Sequence, residues 1–171
     1  MSRGSFQRCL AATTLALCAS APALAATPAQ QAGSKGTIIH PVTVLKTKDM
    51  DFGVVTVTTL GTAVLEPNAD ALSVTGGVLA AGGSPHCAEF VGAAQSSSVV
   101  NIKVPNQSST LTRVGGTETV TVSNFTLQGQ SKRALAKADS FTFRVGGTLN
   151  VAASQVQGTY VGTFSVSVQY P

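Results

Sequence analysis

The chain is predicted to be all-β, an antiparallel sandwich, and three observations carry the prediction. The last stretch alternates: Phe164, Val166, Val168 and Tyr170 fall on one side, with Thr163, Ser165, Ser167 and Gln169 on the other. A period of two marks a strand with one buried and one wet face. Residues 160–170, at ~3.3 Å each, would reach roughly 36 Å. Upstream, short runs of branched apolar residues are separated by glycines in turn-like clusters. Charged residues make up only 11%, while Thr, Ser, Val and Gly abound, a mixture that favours strands and turns over helix.

The N-terminus reads as a secretory signal over residues 1–25. Arg3 and Arg8 give a positive start, residues 10–19 form a short apolar run, and Ala23-Leu24-Ala25 supplies an A-x-A cleavage site. The run is shorter than the ~20 residues a bilayer span needs, so no transmembrane segment is expected. Cys9 and Cys18 leave with the signal; Leu17 stands where a lipid-anchor signal would want a small residue. Export to the periplasm and on to the surface, or secretion, follows. Residues 26–41 are polar and small and read as a flexible arm. Residues 42–171 form one domain, long enough to bury a core.

Within that domain the strand signals run in order. Residues 42–45 come first, behind Pro41, which suits a strand start or an edge. In residues 50–57, Met50, Phe52 and Val54 share a face. Residues 62–66, 71–75 and 87–91 follow, then 99–104, where Val100, Ile102 and Val104 alternate. Residues 118–127 carry Val120 and Val122, residues 141–145 carry Phe141, Phe143 and Val145, and residues 149–151 precede the C-terminal strand. Glycine pairs at 76–77, 82–83, 115–116 and 146–147 are read as turns. None forms a phosphate-cradling motif. Residues 131–139 hint at one helical turn.

Chemistry is sparse. His86, Cys87 and Glu89 are the one cluster of ligand-type side chains, but neighbours in a strand face opposite ways, and only His40 remains to complete a metal set. No catalytic triad can be assembled. Asp49 and Asp51 share a face, as paired glycosidase carboxylates would, but they alternate with Met50 and Phe52 and read as a solvated face. No catalytic, cofactor-binding or metal residue is therefore expected, and no enzyme. Without the signal the chain carries nine Lys and Arg against seven Asp and Glu. With no aromatic-interleaved basic run, nucleic acid is not an expected partner. Cys87, alone in the mature chain, reads either as a buried apolar group or as a partner in an intermolecular disulfide.

Three segments, KTKDMDFG (46–53), FRVGGTLNV (143–151) and GTYVGTFSVSVQY (158–170), stand in an order that resembles a group of exported bacterial domains of unknown function. That group is similar to the pilins and spore-coat-like subunits assembled by the chaperone–usher route. The resemblance implies an immunoglobulin-like (pilin-like) sandwich that lacks its last strand, borrows one from a periplasmic chaperone, and then takes one from a neighbouring subunit. On that basis Phe164, Val166, Val168 and Tyr170 form the assembly face, with Tyr170 at the penultimate tyrosine position of pilins. Residues 26–36 hold no bulky apolar alternation, so Ile38 or Ile39 with Val42 would have to be the donor segment, in competition with the first strand. Four apolar side chains at ~1.5–3 kcal/mol each amount to roughly 6–12 kcal/mol, comparable to a whole domain's ~5–15 kcal/mol. The function so implied is a structural or minor fimbrial subunit joined by β-strand addition. The alternative is a self-contained secreted sandwich that binds a glycan or a surface partner.

Overall fold

Alternating branched and polar residues do become strands, but they join into longer elements than the glycines suggest. The computed structural model describes residues 32–136 and 140–171, and among these there is no helix. The strands are β1 (Thr43–Lys48), β2 (Val54–Glu66), β3 (Ala71–Gly82), β4 (Ala88–Ala93), β5 (Val99–Lys103), β6 (Ser109–Arg113), β7 (Thr119–Leu127), β8 (Lys132–Ala134), β9 (Ser140–Val151), β10 (Tyr160–Val161) and β11 (Ser167–Gln169). Eight belong to one antiparallel sheet, in the order β1-β4-β9-β7-β6-β10 with β2 and β3 branching from β9; β11-β5-β8 form a second. Both sheets send side chains into one core, Val100 and Ile102 from β5 joining Val122, Phe143 and Val145, the layered logic of a β-sandwich.

The first half of the domain is one bent hairpin. Thr43 faces Ala93, Asp51 bridges His86, Val57 faces Val78 and Glu66 faces Ala71, so pairing continues from β1–β4 through β2–β3 to the turn at residues 67–70. A bulge where Gly61 meets Gly76 bends the ribbon. The segments expected at 62–66 and 71–75 are thus the inner ends of two long strands. The face expected to unite Met50, Phe52 and Val54 is broken. Gly53 takes a positive φ of 68°, so Phe52 is buried while Val54 is 56% exposed.

β9 organises the rest. One of its edges is shared, residues 140–145 pairing with β4 and residues 147–151 with β2, while the other edge pairs with β7. Gly146 stands where β9 passes from one partner to the other. A Cβ there would collide with the Leu65 carbonyl oxygen, so the crossing requires glycine. The pair 146–147 is therefore strand interior, as is 76–77; the pairs at 82–83 and 115–116 do lie at strand ends. Residues 141–145 and 149–151 are a single strand for the same reason. Beside residues 140–144 the outer edge of β9 is closed by Arg133, whose Nη1 donates to the Thr142 carbonyl at 2.8 Å and whose guanidinium lies 5.7 Å from the Phe143 ring centre. Arg133 sits in β8, so where residues 131–139 suggest a helical turn there is a strand; residues 137–139 lie outside the described residues.

Every residue from 32 to 41 is exposed and none is in a strand. The signal expected at residues 1–25, and residues 26–31 of the arm, lie outside the described residues. Among the described residues no helix is long and apolar enough to cross a membrane.

Candidate functional site

The C-terminal stretch is extended and alternates as its sequence suggests, but it is not one continuous strand. Tyr160 and Val161 pair with Arg113 and Thr112 of β6, in the large sheet. Residues 162–166 then belong to no ladder, with the Ser109 hydroxyl donating to the Thr163 carbonyl at 2.6 Å. Ser167, Val168 and Gln169 pair with Lys103, Ile102 and Asn101 of β5, in the small sheet. The chain thus steps from one sheet to the other, and among the described residues only one edge of it is laddered.

Side-chain burial follows the period of two. Phe164, Val166, Val168 and Tyr170 are half-buried and pack on the core, while the residues between them are exposed. None of the four reaches the full burial of Phe143, which is 0% exposed. Phe164 meets Phe125 with ring centres 4.9 Å apart and Phe90 edge-on at 6.5 Å. A cavity of about 540 Å³ opens beside it. Phe90, Val122 and Phe125 line it from the large sheet, Met50 and Phe52 from the segment after β1, and Phe164 from the C-terminal stretch. Lys46 and Asp49, an exposed ion pair, stand at its mouth.

β1 flanks this groove and is weakly embedded. All six of its residues are exposed, and β4 is its single ladder partner among the described residues. At the other end β1 and the C-terminal stretch converge. The Tyr170 hydroxyl donates to the His40 carbonyl at 2.8 Å and accepts from the Gln95 N–H at 2.9 Å. This contact lies apart from the cavity, which Phe164 lines and Tyr170 does not.

The residues read as a donor segment differ in exposure. Ile38 is 98% and Ile39 48% exposed, whereas Val42 is half-buried against the core of its own domain. Phe125 is a wall residue that the sequence reading missed. After Val120 and Val122 the inward row skips a place, because Asn124 adopts a positive φ of 48° at a bulge between Ser123 and Thr126. The break of alternation at Asn124-Phe125 is the signal that marks it. Phe90 and Leu111 also line the cavity; Leu111 lies on β6, a strand whose weak pattern STLTR gave no warning.

The ligand-type residues disperse. His86 pairs with Asp51 through the backbone, its Nδ1 lying 2.6 Å from the Ser84 carbonyl oxygen; Glu89 faces Lys48 at 3.8 Å. Among the described residues no three His, Cys, Asp or Glu side chains cluster as metal ligands do. Asp49 pairs with Lys46, and Asp51 accepts from the Gly53 N–H, so the two carboxylates serve local structure. Cys87 is 1% exposed, which favours its reading as a buried apolar group over an intermolecular disulfide. Burial, with the nearby Asp70 carboxylate adding to it, pushes the thiol up to about 12. Asp70 in turn accepts from the Cys87 N–H at 2.9 Å, and that bond holds its carboxyl below the ordinary range.

The sequence pattern of one family, described as Domain of unknown function (DUF4402), matches residues 42–170. No curated protein and no solved structure matches the chain.

Proposed function

The chain belongs to the DUF4402 family of domains of unknown function, and from that premise we propose that it is a structural subunit or minor component of a chaperone–usher-type surface fibre, joined to its neighbours by β-strand addition. The observation that carries the reading is the groove at Phe164. A half-buried apolar row lies along an unladdered edge, beside a cavity of about 540 Å³ and facing a β1 with both faces wet. A strand laid there gains backbone hydrogen bonds from the free edge and apolar burial from the cavity. The immunoglobulin-like, incomplete form of the sandwich, a periplasmic chaperone as first donor, neighbouring subunits as later donors, export by a cleaved signal and the absence of enzymatic chemistry all belong to this proposal.

The test compares the mature domain, the domain shortened to start at residue 42, and the domain with residues 26–41 fused after Pro171. Strand addition requires the fused form to gain several kcal/mol in urea unfolding; a lone domain that is monomeric, fully stable and indifferent to the fusion would refute it. The cavity also lies within the ~300–1,000 Å³ of small-molecule sites, which favours, as a second reading, a self-contained binding module. Specific hits for the monomer on a glycan array or against surface extracts would reverse the order.

A further inference from the structure

We infer that the Tyr170 hydroxyl is a latch that holds residues 38–42 against their own domain and so withholds them from a neighbour. This deepens the strand-addition reading and rests on it. The Tyr170 hydroxyl joins two segments distant from it in the chain. It donates to the His40 carbonyl and accepts from the Gln95 N–H, and the His40 N–H reaches Gln95 Oε1 at 3.4 Å. Beyond this knot the hold on the segment is slight. Pro41 offers no N–H, Ile38 and Ile39 are exposed, and only Val42 touches the core. The β1 strand that follows buries none of its six residues. It is fastened by five facing pairs with β4, by the Thr47 hydroxyl donating to the Glu89 carbonyl at 3.1 Å, and by ion pairs at Lys46 and Lys48, and such ion pairs contribute little near the surface.

The same apolar residues that could add a strand to a second copy, Ile38, Ile39 and Val42, are thus tethered in cis at His40. A half-buried phenol that both gives and receives is well suited to the task, since one substitution removes two hydrogen bonds without emptying the space the ring fills. Opening the knot frees the segment.

The experiment compares the full mature chain with its Tyr170→Phe variant, by hydrogen–deuterium exchange and by size-exclusion chromatography over time. Exchange at Gln95 and across residues 39–44 should rise about tenfold, while residues 141–145 of β9 keep their protection. Assembly into SDS-resistant multimers should speed up by a similar factor. A residue that merely stabilises the domain would raise exchange everywhere, and that result, or unchanged exchange at residues 39–44, overturns the latch. If wild type assembles and the variant assembles no faster, the latch also falls while strand addition stands. If exchange rises locally and neither chain assembles, the tether stands and the strand-addition reading falls.

Discussion

Truncating Phe164 provides a sharp measure of whether the groove awaits a strand. Phe143, with no exposed surface, sets the scale: a fully buried Phe→Ala change costs about 3–5 kcal/mol through lost transfer energy and the cavity left behind. Phe164 is less completely buried, bounded by Phe90 and Phe125 on one side and by the open cavity on the other. Most of its surface transfer is already realised, but no closed void is created beside the open cavity, so Phe164→Ala should cost the lone domain about 2–3 kcal/mol. A strand seated in the groove would cover the open side, and the same truncation should then approach about 3–5 kcal/mol. Urea unfolding of both backgrounds, the lone domain and the form carrying residues 26–41 after Pro171, measures the two costs directly. The difference is the coupling between Phe164 and the added strand. Equal costs in the two backgrounds would show that nothing settles over Phe164 and would overturn strand addition at this groove.

Three further outcomes follow from local geometry. Gly146→Ala should prevent β9 from passing between β4 and β2, seen as loss of the cooperative unfolding transition, because the added methyl meets the Leu65 carbonyl. Asn124→Val should cost about 1–2 kcal/mol by denaturant unfolding, since a branched residue is strained at positive φ, whereas Asn124→Gly should be nearly neutral. The Cys87 thiol, raised from 9.0 to about 12 on folding, keeps its proton in the folded chain where the unfolded chain loses it. Stability should therefore be unaffected by this group below about pH 9 and fall as pH rises from there towards 12, a slope that Cys87→Ala removes.

The alternating strands were legible because one buried face imposes a period of two: Phe141, Phe143 and Val145 are buried in the rhythm in which they are written. What misled was punctuation. Glycine serves equally for a tight turn and for close approach of two backbones, and nothing local to Gly146-Gly147 tells which. The distinction lies with Leu65, far away in the chain. The groove was half legible. Its C-terminal row follows from alternation, but Phe90, Phe125 and Leu111 reach it through bulges and pairings that only the assembled sheet specifies. Ser109–Arg113, with one large apolar residue among five, becomes a strand because β7 and β10 lie on either side of it.

The central position of β9 also bears on how the chain comes to be folded. The hairpin from β1 to β4 and the pair β6–β7 can each form between near neighbours, yet the element that unites them comes late in the chain, from residue 140 onwards. Until it arrives, the edges of β2, β4 and β7 that β9 will occupy have no partner, and apolar faces such as Ala63-Leu65 and Phe90 stay uncovered. Such late, long-range closure makes for slow folding and for intermediates prone to stick together. Changes in β9 should consequently slow refolding, whereas changes in the peripheral β1 should chiefly speed unfolding.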